Sequence, residues 1–185
     1  MNQKIIQTED KFKAGDDGKC SVAGKAMVST ASRHATLAGV EILKKGGNAV
    51  DAAAAAAVAL GVSEPQGSGM GGQTMVLLSR EGRSIAIDGS SRAPSMAHVS
   101  AITFDDRSIG YRASTVPSTP ATLAYMQRTY GRLKWADVLE PAISLAEEGF
   151  PVTALQNRLQ QRELPNFEKV RSEEHTSELQ SPSAI

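Results

Sequence analysis

The 185-residue chain has a single cysteine, Cys20, so it can build neither an internal disulfide nor a cysteine-rich zinc site. Cys20 reads either as a reactive thiol or as an incidental residue of a polar leader, and its polar, aperiodic surroundings favour the second. An excess of one charge is missing too. Twenty basic and twenty acidic side chains cancel, which leaves no field to favour nucleic acid or an anionic membrane. No apolar run approaches the roughly twenty residues that a transmembrane helix needs. The first residues, MNQKIIQTEDKFKAGDDGK, hold no hydrophobic signal core, so the protein is cytoplasmic by default or its true start is missing. His34 and His98 each stand without a second histidine at ligand spacing, so neither a metal site nor a cofactor is expected.

What the chain does have is enough length for one domain with a core, at an ordinary 41% hydrophobic residues. Its organising stretch runs from Gly46 to Asp88. Asn48 suits a helix N-cap, because its side-chain oxygen can accept from the free N–H groups of the first turn. Asp51 falls in that turn, where negative charge meets the positive end of the helix dipole. Ala52–Leu60 is nearly all alanine, with Val58 and Leu60 as the larger apolar groups. A helix so small and apolar all round belongs in an interior.

Before this stretch, residues 1–25 read as a polar lead-in, and Ala26–Thr30 as a short strand. Ser32 is placed to cap a helix over Ala35–Lys45 with Leu37, Val40 and Leu43 on one face. Gly46-Gly47 should end that helix in the left-handed conformation that glycine adopts without strain.

After the alanine helix, SEPQGSGMGGQ is expected to be a loop. Gly67–Gly72 satisfies G-x-G-x-x-G, but in reversed context. The dinucleotide fingerprint follows a strand and opens a helix, whose N-terminus holds the pyrophosphate. Here a helix precedes and a strand follows, so tight backbone packing explains the glycines better. Met75–Ser79 and Ser84–Asp88 flank Glu81-Gly82-Arg83 as a hairpin. Just beyond it, Arg92 reads either as a clamp for a substrate carboxylate or as a solvated loop arginine, and composition alone favours the latter.

The last third is helical in pattern. Thr119-Pro120 opens a helix with Leu123, Met126 and Tyr130 on one face, and Gly131 stops it. Trp135, Val138, Leu139, Ala142, Ile143 and Ala146 form a second, core-facing stripe. Pro141 inside the stripe should kink the helix or begin another. Thr153 to Gln156 is a capping box for a final helix to about Glu163.

Two blocks of the sequence carry a resemblance. MVSTASRHATLAGVEILKKGGNAVDAAAAAAVALGVSEPQGSGMGG closely resembles the opening of the γ-glutamyltranspeptidase (glutathione hydrolase) family. TVPSTPATLAYMQRTYGRLKWADVLEPAISLAEEGFPVT resembles a later block of the same family, in the same order. The resemblance implies an α/β (α+β) chain that is the N-terminal part of an αββα N-terminal-nucleophile hydrolase sandwich. It further implies a precursor that cuts itself into large and small subunits, freeing a threonine that attacks a γ-glutamyl bond. Glutathione or another γ-glutamyl amide would be the substrate of the full-length parent, and the small subunit its partner.

The chain departs from the family pattern in several places. The arginine usual two residues after the aspartate of the second hairpin strand is replaced by Ser90, and Arg92 lies two residues further on. Such a slip along extended chain moves a guanidinium by roughly 6–7 Å, which brings a related acylase, of the cephalosporin or glutaryl type, into consideration. Ser118 replaces the glycine of the family's V-P-G-T segment. The family's nucleophilic threonine typically lies in a Thr-Thr pair, which this sequence lacks, so no catalytic residue is assigned and a non-enzymatic scaffold is a third reading. Finally, residues 171–185 resemble translated sequencing adapter, which leaves 26–170 as the partial family domain.

Overall fold

The computed structural model describes residues 23–178, apart from 99, 101, 105 and 106. Cys20 and most of the polar lead-in lie outside the described residues. The chain forms two compact units. The first takes in the described residues up to Ser63 together with Leu123–Gly149, and the second Glu64–Thr122 and the described residues from Phe150 onward.

In the first unit, α1 (Arg33–Lys44) and α2 (Ala49–Ser63) pack on each other and on α5 (Trp135–Glu148). Alanines make the contact: Ala35 and Ala38 of α1, Ala59 of α2 and Ala142 of α5 form a buried cluster, with Val58, Leu60 and Leu145 against it. Side chains this small let helix backbones come close. A Cβ added at Gly39 would sit 3.0 Å from the carbonyl oxygen of Ala52 and 2.9 Å from a methyl of Val28.

That close approach decides which face of α1 is buried. Ala35, Ala38, Gly39 and Ile42 face inward, whereas Leu37 is 37% exposed and Val40 and Leu43 are only half-buried. The Leu37/Val40/Leu43 face expected from hydrophobicity is thus not the buried one. Ala26–Thr30 is not a strand either. A strand needs a neighbour to pair with, and Val28 instead covers Gly39. Ser32 occupies the N-cap of α1 but makes no side-chain cap bond; Thr30 Oγ1 accepts from the Ser32 N–H at 3.3 Å.

The end of α1 follows expectation. Gly46 has φ +92, and the Gly46 and Gly47 N–H groups donate to the carbonyls of Leu43 and Ile42 at 3.1 and 3.0 Å. This double bond pattern closes a helix C-terminus around a left-handed glycine. Asn48 then caps α2, its Oδ1 accepting from the N–H groups of Val50 and Asp51 at 2.9 and 3.0 Å. The alanine helix is buried along most of its circumference, with Ala53 exposed.

The second unit opens with a correction. Pro65–Ser68, expected as loop, forms a single helical turn, α3, with proline at its first position, where the missing N–H costs nothing. The hairpin follows: β1 (Thr74–Arg80) pairs antiparallel with β2 (Arg83–Gly89), from Thr74 opposite Gly89 to Arg80 opposite Arg83. Arg83 therefore belongs to the strand, and the turn is Glu81-Gly82, both with positive φ (54 and 76). Two left-handed residues make the tight turn whose twist suits a two-residue hairpin.

The helix α4 (Thr119–Tyr130) starts in the second unit and continues into the first, with Leu123 and Met126 buried as expected. Helix α5 runs unbroken through Pro141, so no second helix begins there. Of its stripe, Val138 and Ala142 are buried, Trp135 is half-buried and Ile143 is 44% exposed. The last helix, α6, runs from Ala154 to Glu178, well past Glu163 and through Pro165. Its start is as expected, the Gln156 N–H donating to Thr153 Oγ1 at 3.1 Å. No helix among the described residues is long and apolar enough to cross a membrane.

Candidate functional site

The loop that leaves β2 carries both candidate binding residues, Ser90 and Arg92. It begins at Gly89, which is buried and has no room for a side chain. A Cβ there would meet Thr122 Oγ1 at 2.2 Å and the Thr74 carbonyl at 2.3 Å. Ser90 folds back on Asp88, donating from its hydroxyl at 2.6 Å and its N–H at 3.0 Å to Oδ1. These two bonds, the hydroxyl's first, hold the Asp88 carboxyl below its ordinary range, since both favour the charged form. The Ser91 N–H donates to Gln73 Oε1 at 3.2 Å. Arg92 exchanges both backbone bonds with Val116, at 3.2 and 2.8 Å.

The segment before α4 completes the frame. Ser118 donates its hydroxyl to the Gly89 carbonyl, and the Ser118 and Thr119 N–H groups both donate to the Gly72 carbonyl, at 3.1 and 3.3 Å. Thr74 donates to Thr119 across their hydroxyls at 2.9 Å. The end of the glycine-rich loop, the hairpin base and the start of α4 are thereby tied together. On this frame the backbone of Arg92 is fixed and its side chain is exposed. Such a guanidinium can take a carboxylate through two parallel bonds. Ser90 is exposed as well, but its hydroxyl is already given to Asp88.

The glycines of the G-x-G-x-x-G string divide. Gly69 is packed tightly, since a Cβ would sit 2.8 Å from the Pro65 carbonyl, whereas a Cβ at Gly71 would meet open space. The string begins within the last two residues of α3 and leads into strand β1, the reverse of a dinucleotide site.

In the first unit the structure shows a polar residue whose role the sequence reading understated. Asp51 is fully buried. Its Oδ2 accepts from the Asn48 and Arg132 N–H groups, each at 2.9 Å. Its Oδ1 accepts from Gln127 Nε2 at 3.0 Å and from the Arg132 and Leu133 N–H groups at 3.1 and 3.4 Å. Asn48 adds a bond from Nδ2 to the Tyr130 carbonyl at 2.8 Å, and Gln127 one to the Leu133 carbonyl at 2.7 Å. Gly131 is required there, because a Cβ would lie 2.5 Å from Asp51 Oδ1 and 2.4 Å from the Gln127 carbonyl. This knot joins the start of α2 to the turn between α4 and α5. It ties together the two sequence blocks that carry the resemblance. The readable signal was an aspartate in a helix otherwise fit only for an interior, where a charge must find partners.

Beside the knot, Ala124, Gln127, Arg128, Gly131, Leu133 and Trp135 line an open hollow of about 410 Å³. Trp135, half-buried, thus stands on a wall of this hollow.

Comparison with known proteins agrees with this architecture. Residues 35–181 match the family described as Gamma-glutamyltranspeptidase. The glutathione hydrolase proenzyme of Bacillus subtilis (strain 168) is 36% identical over 163 residues, which cover 83% of this chain and 27% of that protein. The chain therefore spans about a quarter of that relative's length. Among solved structures, Helicobacter pylori gamma-glutamyltranspeptidase aligns with a TM-score of 0.78 at 28% identity, over 83% of this chain and 46% of that one. The cephalosporin acylase of Bacillus halodurans aligns with a TM-score of 0.65 at 36% identity, over 75% and 26%. The mixed helical and hairpin architecture is a portion of the fold these enzymes share, and the chain belongs to the γ-glutamyltranspeptidase family.

Proposed function

We propose that the chain is the scaffold-bearing N-terminal part of the large subunit of an enzyme that hydrolyses or transfers the γ-glutamyl group of glutathione-like amides. The observation that carries this is the match of residues 35–181 to the family. In the reaction so assigned, a threonine at a newly cut N-terminus attacks the γ-glutamyl carbonyl. Its own α-amine takes the hydroxyl proton, and N–H donors stabilise the tetrahedral oxyanion. Collapse of the intermediate breaks the amide C–N bond, the proton held by the α-amine passes to the departing amine, and water or an amino acid then takes the acyl group from the threonine. The small subunit supplies the threonine, and this chain contributes the hairpin, the loop 88–92 and the helices.

One observation favours a second reading, cleavage of other carboxylate-bearing amides. Ser90 stands where the family has arginine, its hydroxyl is occupied by Asp88, and the cephalosporin acylase aligns at 36% identity. Assaying the full-length parent with γ-glutamyl and glutaryl anilides separates the two. Faster turnover of the γ-glutamyl compound supports the first reading, and faster turnover of the glutaryl compound replaces it with the second. We also assign residues 171–185 to translated adapter; a native transcript that encodes them would refute that assignment.

A further inference from the structure

The departures from the family pattern at Ser90 and Ser118 are neighbours in space. Ser118 donates its hydroxyl to the carbonyl of Gly89, the residue immediately before Ser90. Its N–H donates to the Gly72 carbonyl at 3.1 Å, and its own carbonyl accepts from the Thr122 N–H at 2.9 Å as α4 begins. Two residues earlier, Val116 is bonded in both directions to Arg92. Residues 116–118 therefore form a strap that holds the loop 89–92 at both ends, and one of the two holds is made by a side chain. A glycine at 118 would keep every backbone bond and lose only the hydroxyl.

The strap bears on what the loop can bind. Ser90 has spent its hydroxyl and N–H on Asp88, and the Ser91 N–H is given to Gln73. Arg92 is the cation the loop presents, and its backbone position is set by residues 116–118. Resting on the reading of this loop as the contact for the substrate's carboxylate, we infer that Ser118 is a positioning residue. By fixing the Gly89 carbonyl it shapes the loop so that Arg92, rather than residue 90, meets the carboxylate of the acyl group. The arginine missing at position 90 and the serine present at 118 are then one change in two places.

The test uses the full-length parent with Ser118→Gly, Ser118→Ala and Ser118→Thr, read by steady-state kinetics on γ-glutamyl and glutaryl anilides and by hydrogen exchange at the Arg92 amide. Loss of one hydrogen bond should raise KM roughly three- to tenfold in the glycine and alanine variants with kcat unchanged. Exchange at Arg92 should quicken in those two, and Ser118→Thr, which keeps a hydroxyl, should restore both readouts. A fall in kcat at constant KM would overturn the inference, as would faster exchange without a change in KM. If the wild-type parent turned over neither amide, the reading of the site would fail on that result alone. An unchanged Arg92 exchange rate in Ser118→Gly would overturn the strap in either case.

Discussion

Two aspartates in this protein are held by hydrogen bonds in opposite ways. Asp51 is fully buried and takes its donors from residues far along the chain, Gln127, Arg132 and Leu133, as well as from Asn48. Asp88 is exposed and takes both donors from Ser90, two residues on. A carboxylate without water has no substitute for its protein donors, so those donors fix the fold around it. A carboxylate in water can exchange a lost donor for solvent, so its neighbours can change with little cost to the fold. The first region is bound to the fold, and the second is free to vary without disturbing it.

The contrast is broken most directly by removing the buried carboxylate. Asp51→Ala leaves several buried N–H groups without an acceptor, at about 1–3 kcal/mol each before relaxation. The expected loss of unfolding free energy is about 3–5 kcal/mol, a large share of a typical domain's stability. Denaturant titration checks it, and a loss below about 1 kcal/mol would mean that the knot is not what holds α2 to the α4–α5 turn. Next in size, Gly131→Ala should cost about 2–3 kcal/mol by overpacking, because the added methyl would press on the Gln127 carbonyl and Asp51 itself. An unchanged melting temperature would contradict it.

The smallest effect belongs to the exposed partner. In Ser90→Ala the Asp88 carboxyl loses the donor that most favours its charged form, so its pKa should rise toward the ordinary value. Because the folded pKa is depressed, the stabilisation linked to this group is present above the ordinary value and fades as pH falls through the depressed one. Following the Asp88 carboxyl carbon by NMR between pH 2 and 6 (roughly the carboxylate range) should show the upward shift, with global stability hardly altered. A downward shift would contradict the assignment of Ser90 as the cause.

The caps at Gly46, Asn48 and Thr153, the hairpin and the alanine helix were legible in the sequence because each rests on local chemistry, whereas Ser32 makes no cap bond. Asn48 caps whatever surrounds it, and Gly46 turns left-handed for reasons within one helical turn. What stayed hidden depended on distant partners. The buried face of α1 was set by how near the alanines of α2 could come, and so the leucines yielded to Ala35, Ala38 and Gly39. Asp51 looked like a dipole partner because its donors, near residue 130, come from another part of the chain. The loop with Ser90 and Arg92 was located from sequence, but the Ser118 hydroxyl that secures it was invisible, since only folding brings it to Gly89.

On the proposed function, this chain offers scaffold and a binding loop while the attacking threonine comes from elsewhere. Incubating the purified 185-residue chain with γ-glutamyl anilide and following anilide release tests it. No release above the buffer rate is expected; sustained turnover that tracks the protein concentration would contradict it.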